Sequence, residues 1–390
     1  MPKLISNNKI LFRKLEDFDH NSRTSKTHLD VVYYKKKKLF NLASNDYLGL
    51  SKNKEIIDAS INWTKRYGSS LSSSRLVTGN LDKINKIEKL ISKSVKKDKS
   101  VIVGNGFLLN ATLIPAITGN FLGKRTKFLI FSDKFNHASI NYGCLATRQK
   151  CVRYNHLNLN HLEDNLKKSP KNVKKIIISE TLFSMDGDII DIDGIRFLSK
   201  KYNTILYLDE AHAMGVLGQN GFGLSSQSIN NNNEIIVGTF SKGFGSYGSF
   251  VSCAEKYYKT IVNSCAGLVY STVLPPSVLG AIDKSVRKMS KLINLRKNLK
   301  INYEFMLGKL KKLGFNTANS RSHIIPIILK DSKQNRELQK FLYDNGFYVK
   351  EIRTPTVPKG SERIRLSLTA TMSLHLLKKF IKTITVFESK

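Results

Sequence analysis

Two segments of the chain carry residue types and spacings suited to covalent chemistry on a carbonyl. In Gly238-Thr239-Phe240-Ser241-Lys242-Gly243-Phe244-Gly245, a lysine lies just beyond an apolar run, flanked by hydroxyls and glycines. The Lys242 amine could form a Schiff base, the Thr239 and Ser241 hydroxyls could hold a phosphate, and the glycines allow close backbone approach. A lysine in a surface loop is the plainer reading of this segment alone. In Leu206-Tyr207-Leu208-Asp209-Glu210-Ala211-His212, an acid ends a second apolar run and a histidine follows three residues on. The carboxyl edge of an open α/β sheet is where ligands bind. Asp209 there could hold a protonated pyridine nitrogen while His212 bonds a phenolic ring oxygen, the pairing that pyridoxal phosphate requires opposite its lysine. A capping aspartate beside a structural histidine is the alternative. Two further segments fit the same cofactor. His137, in Ser132-Asp133-Lys134-Phe135-Asn136-His137-Ala138-Ser139, could stack on a planar ring, and Ser184, before Asp186-Gly187, could reach the ring oxygen or the phosphate. A hydrogen-bonded loop histidine and a plain turn are the competing readings.

Groups so far apart in sequence meet only if the chain folds them to one edge. Short apolar runs at Val101–Val103, Phe128–Phe131, Ile176–Ile178, Ile205–Leu208 and Ile235–Val237 alternate with helical patterns. They predict buried parallel strands of an α/β domain. Leu81, Ile84, Ile87, Leu90 and Ile91 predict a helix, with Asn80 as its cap. Beyond Pro275-Pro276 a lysine-rich helix over about 283–312 is expected. Strands at Ile324–Ile328, Phe347–Ile352 and Ile364–Leu368 and helices over 337–343 and 374–387 complete a smaller α+β C-terminal domain. The expected division is an irregular N-terminal arm over 1–45, a large α/β cofactor domain over 46–282 and the C-terminal domain over 283–390.

Composition narrows the function classes. Of the 390 residues 41% are hydrophobic, enough for a real core and against disorder. No apolar run reaches the about 18 residues of a membrane span, and the start lacks a signal-peptide core. Four cysteines without a CxxC pair form no disulfide framework and no metal site, so a cytoplasmic protein is expected. Lys and Arg number 64 against 30 acids, a formal charge of +34. That excess is spread along the chain with no nucleic-acid motif beside it, and it reads as a solvated basic surface. A basic nucleic-acid-binding protein on an inactive enzyme shell is the reading from a different class.

Eight motifs occur in order and carry a resemblance. They are Asn45-Asp46-Tyr47-Leu48-Gly49-Leu50, Ser74-Arg75-Leu76-Val77-Thr78-Gly79-Asn80, the Asn-His-Ala-Ser, Phe-Ser-Met-Asp-Gly-Asp, Asp-Glu-Ala-His and Thr-Phe-Ser-Lys-Gly-Phe-Gly segments, Tyr270-Ser271-Thr272 with Leu274-Pro275-Pro276, and Pro355-Thr356-Val357-Pro358-Lys359-Gly360. Over about residues 41–370 the chain resembles the α-oxoamine synthases, fold-type I enzymes using pyridoxal 5'-phosphate (PLP) to condense an amino acid with an acyl thioester. The resemblance implies Lys242 as the cofactor's lysine and Asp209 as the pyridinium partner. It places His212 and Ser184 at the ring oxygen, His137 on the ring, and Thr239, Gly106 and Phe107 about the phosphate. It gives Arg365 to the amino-acid carboxylate, Asn45 to substrate binding, and Arg353 and Thr356 to the acyl path, with Arg23 the nearest match to an N-terminal substrate arginine. The forms of the second and last motifs resemble the branch that joins L-alanine to a pimeloyl thioester, carried on CoA or an acyl carrier protein. Glycine acetyltransferase and serine palmitoyltransferase types are the alternatives. A homodimer is implied, with no membrane or nucleic-acid partner and no metal. The chain departs from the family pattern in the serine-rich loop 69–74 and at Ile84, Ala213 and Ser249.

Overall fold

The computed structural model describes residues 18, 30–119, 126–227, 232–329 and 331–388. Strands β1 (Val31–Tyr34) and β2 (Lys37–Asn41) precede helices α1 (Lys54–Tyr67) and α2 (Asp82–Ser94). The central run is β3 (Lys99–Val103), α3 (Gly106–Ile117), β4 (Phe128–Asp133), α4 (Ala138–Ala146), β5 (Lys150–Tyr154) and α5 (Leu159–Lys167). It continues through β6 (Lys174–Glu180), α6 (Ile192–Lys201), β7 (Ile205–Asp209), β8 (Glu234–Thr239) and β9 (Ser249–Cys253). Helices α7 (Glu255–Ser264), α8 (Ala266–Val269), α9 (Pro276–Met289) and α10 (Ile293–Lys312) follow. Last come β10 (Ile324–Ile328), α11 (Ser332–Asp344), β11 (Phe347–Tyr348), β12 (Lys350–Ile352), β13 (Arg363–Ser367) and α12 (Leu374–Glu388).

The five predicted strands form the body of a seven-stranded sheet in the order β3-β9-β8-β7-β6-β4-β5, in which only β9 runs against the rest. Both faces are covered, which is why these strands read as unbroken apolar runs. Along β6, Ile176 and Ile178 pack among residues of α3 and α4, while Ile177 packs on the other face with Leu162 of α5 and Leu198 of α6. Each such side chain contributes roughly 1.5–3 kcal/mol by leaving water. The smaller antiparallel sheet has the order β10-β13-β12.

Several local expectations give way. Residue 81, not Asn80, caps α2; Asn80 instead accepts from the Arg75 guanidinium at 2.8–3.0 Å. The stretch 283–312 is two helices broken after Met289, and the strand over 347–352 is split at Val349. Within the expected irregular arm, 31–41 is a hairpin turning through left-handed Lys35 and Lys36, and β2 pairs in parallel with β11. β5 and β9 were not predicted: β5 is an edge strand with Lys150 and Arg153 on its exposed positions, and β9 is interrupted by serines.

Candidate active site

The parallel strands deliver their last residues to one edge. Glu180 at the end of β6 and Asp209 at the end of β7 are cross-strand partners, and Asp209 lies opposite Val237 of β8. Two residues beyond Val237 the chain leaves the sheet at Thr239 and turns through Lys242. The turn is held by Gly245 N donating to the Lys242 carbonyl at 2.9 Å. Gly245 has φ +62°, and a Cβ there would lie 2.5 Å from the Leu50 carbonyl carbon, so no other residue fits this approach.

A cavity of about 220 Å³ opens at this edge, lined by Gly106, Phe107, His137, Asp209, His212, Thr239 and Lys242 together with Asn110 and Glu180. Seven of the sequence-predicted residues therefore share one cavity. Asp209 is buried and fixed: Oδ1 accepts from Ala211 N at 2.9 Å and Oδ2 from Asn110 Nδ2 at 2.7 Å. Asn110 is in turn oriented by Ser139 Oγ at 3.0 Å and by the Tyr207 hydroxyl. Burial lowers the Lys242 pKa, against the opposing pull of Asp209 and Glu180, which favours a free amine able to attack a carbonyl.

The histidines are held neutral. Burial drives the His212 pKa well below its usual value, helped by the positive charges of Lys242 and Arg365. Its Nδ1 lies 2.6 Å from the Tyr47 hydroxyl. Burial also lowers His137, which caps α4 by accepting from Ser139 N. Glu180 is pushed well above the carboxylate range by burial and by Asp209, while its Oε1 accepts from His137 N at 2.6 Å.

Three more of the predicted residues lie outside the cavity lining and are joined by hydrogen bonds. Arg365 Nε donates to the Ser184 carbonyl at 2.6 Å, and its two terminal nitrogens reach Asn45 Oδ1 at 3.2 Å. The charge of Arg365 is felt at both Lys242 and His212. Arg353 and Thr356 are placed elsewhere: Arg353 lines a separate groove with Tyr34 and Arg336, and Thr356 is exposed in the following turn. Arg23 lies outside the described residues. Thr239 already donates to the Gly248 carbonyl at 2.9 Å. A Cβ at Gly106 would meet nothing within 4 Å, so that position is open rather than forced.

Glu180, Asn110 and Tyr47 also belong to the site, although residue type and spacing alone do not single them out. Glu180 lies two residues past the predicted run Ile176–Ile178, much as Asp209 follows Ile205–Leu208, and ends the observed β6. Asn110 and Tyr47 become visible only through tertiary hydrogen bonds.

The residues present fit PLP. An amine depressed in pKa faces a buried carboxylate across a cavity with neutral imidazoles, beside the N-terminus of α3, where main-chain N–H groups favour an anion. Such a site on the carboxyl edge of a mostly parallel sheet defines a PLP-dependent transferase of fold-type I. The chain belongs to the class I and II aminotransferase family, whose model matches residues 37–384. Within that family it is of the α-oxoamine synthase kind, as its relatives show. A protein of Paramagnetospirillum magneticum provisionally named 8-amino-7-oxononanoate synthase is 39% identical over 86% of this chain and 85% of its own length. One of Bacillus anthracis with the same provisional name is 36% identical over 90% and 87%. Among solved structures, the serine palmitoyltransferase of Sphingomonas wittichii superposes with a TM-score of 0.87 at 26% identity, covering 92% of this chain and 90% of its own. The 8-amino-7-oxononanoate synthase of Francisella tularensis superposes at 0.77 with 25% identity, covering 90% and 98%. Another neighbour is described as holding PLP as an internal aldimine. No helix among the described residues is long and apolar enough to cross a membrane.

Proposed function

We propose that the chain condenses L-alanine with a pimeloyl (6-carboxyhexanoyl) thioester, releasing CO2 and the free thiol and giving 8-amino-7-oxononanoate, a step of biotin biosynthesis. Three carbons and seven enter; nine leave in the product and one as CO2. The observation that carries the reading is the convergence of Lys242, Asp209, His137 and His212 on one cavity with Arg365 behind it. The provisional names of relatives at 36–39% identity support this choice of substrates.

PLP supplies an electron sink for the amino-acid α-carbon. In this reading Lys242 would hold the cofactor, and its amine, lowered in pKa by burial, would accept the α-proton. Asp209, anchored by Asn110 and Ala211, would be the partner of the pyridine nitrogen. The Arg365 guanidinium orients the alanine carboxylate in a planar fork, with Asn45 holding its terminal nitrogens in register. His212 and Ser184 would serve the ring oxygen, His137 would stack on the ring and could polarise the thioester carbonyl, and Thr239, Gly106 and Phe107 would hold the phosphate. The exposed ring pair of Phe107 and Tyr142, with centroids 5.4 Å apart at the cavity mouth, supports a second copy of the chain covering that face as a homodimer.

A second reading is favoured by the superposition on serine palmitoyltransferase, a different α-oxoamine synthase reaction. Product analysis by mass spectrometry separates the two: purified protein with PLP is given alanine, glycine or serine, each with pimeloyl-CoA or palmitoyl-CoA. A nine-carbon keto-amino acid from alanine and pimeloyl-CoA is expected. Product only from serine and palmitoyl-CoA would overturn the reading in favour of the second.

A further inference from the structure

The segment that carries Ser184 is a small hairpin with no core of its own. Leu182 bridges Ile189, Phe183 and Asp188 are joined by a 3.0 Å main-chain bond, and Gly187 turns the tip at φ +68°. On one side it meets the C-terminal sheet: Arg363 pairs with Asp186, Arg321 N donates to the Gly187 carbonyl at 3.1 Å, and Arg365 Nε donates to the Ser184 carbonyl. On the other side it is tied to the large sheet through His156. The His156 Nδ1 lies 2.9 Å from Asp133 Oδ1 at the end of β4, and Nε2 lies 2.8 Å from Asp188 Oδ2 in the hairpin. The rings of Phe135 and Phe183 enclose the imidazole at 4.5 and 4.4 Å.

We propose that His156 is a positioning residue which, donating from both ring nitrogens, clamps the 182–189 hairpin so that Ser184 and the carbonyl seat of Arg365 stay in place beside the cavity. The inference rests on the proposed reaction for its functional consequence. Carboxylates only accept, so two short contacts to carboxylates require two N–H groups, that is, an imidazolium. Asp133 is saturated, with Phe135 N at 2.8 Å and Leu157 N at 2.9 Å also donating to it. Asp188 is the weaker arm: Oδ2 has His156, and Oδ1 has no partner among the described residues. Loss of the imidazole proton therefore releases the hairpin rather than β4. The charged groups facing His156 are Asp133 from β4 and Asp188 and Asp186 from the hairpin, with Arg363 of β13 behind Asp186. Burial pulls the imidazole pKa down, but the two carboxylates outweigh it and raise it to about 9. A raised histidine stabilises fully below its unfolded value of about 6.5, and the clamp is lost as pH rises through about 9.

The test uses wild type, Asp188→Asn and His156→Gln. The His156 C2–H resonance, assigned by its absence in His156→Gln, is expected to titrate near pH 9 in wild type and about one unit or more lower in Asp188→Asn. The alanine KM should rise above pH 9 in wild type, from correspondingly lower pH in Asp188→Asn, and be raised about tenfold throughout in His156→Gln while the cofactor's visible band persists. A merely structural role would lower Tm without moving the alkaline break. A His156 midpoint near 6.5, or a KM in His156→Gln equal to wild type at every pH, would overturn the proposal. If wild type makes no product from alanine, the proposed reaction fails separately. The clamp is then judged by amide exchange at 183–188 relative to β6, which should accelerate in His156→Gln and refutes the proposal if unchanged.

Discussion

Replacing Asp209 by Asn keeps the shape of the side chain and removes its charge, and the surroundings determine the cost. With the retained oxygen on Ala211 N, the new amide nitrogen faces Asn110 Nδ2 across the present 2.7 Å contact, donor against donor. Asn110 can rotate to offer its oxygen, but that oxygen now accepts from the buried Tyr207 hydroxyl, which would lose its partner. One hydrogen bond to a charged group, worth about 1.5–3 kcal/mol, is replaced by a weaker one or by an unsatisfied buried donor. Asp209 is also the largest influence holding the Lys242 pKa up, so the amine should titrate lower still. Without the carboxylate the pyridine nitrogen would lack the partner that keeps it protonated and the ring would draw charge from the α-carbon less well, and a loss of about 2–3 kcal/mol lowers kcat by roughly 30- to 150-fold. The assay is steady-state kcat and KM with alanine and pimeloyl-CoA, with thermal unfolding measured alongside. A kcat within about threefold of wild type would refute the reasoning, because it would mean that Asp209 does not face the reacting centre.

Other outcomes follow from the same geometry. Lys242→Ala should abolish both the visible absorbance on adding PLP and turnover, with unchanged circular dichroism as the check on folding. Arg365→Ala should raise the alanine KM by about tenfold to a hundredfold with a smaller loss in kcat, seen by varying alanine at saturating donor. Glu234→Ala removes the carboxylate that Lys97 and Arg196 share, at 2.8 and 2.9 Å, with the Lys97–Glu234 pair almost wholly buried. It should cost about 3–5 kcal/mol in denaturant unfolding while leaving PLP binding by the folded fraction intact.

Much of this fold is legible in the chain because its strands are covered on both faces. Ile176–Ile178, Leu206–Leu208 and Ile235–Val237 can be apolar throughout only if helices lie on each side. Once those strands are placed, Asp209, Thr239 and Lys242 must emerge at one edge, so the cavity follows from the topology. Elements on the periphery are harder to read. β5 exposes Lys150 and Arg153, and the β1–β2 hairpin is stabilised by pairing with Phe347 and Tyr348 some 300 residues away, which no local pattern records. Shorter separations also hide Tyr47 from His212, 165 residues apart, and His156 from Asp188, 32 residues apart. Arg353 and Thr356 both come from the resemblance, yet Arg353 lines another groove and Thr356 is exposed. A motif preserves residue order, whereas a site needs direction.

The central claim is that the Lys242 amine is the group that takes the cofactor's aldehyde. Purified protein incubated with PLP and then borohydride, digested and mapped by mass spectrometry, tests it directly. A single pyridoxyl group is expected on the peptide containing Thr239 to Gly245, at Lys242, and none in Lys242→Ala. Label scattered over surface lysines, or concentrated at another lysine while Lys242 stays unmodified, would contradict it.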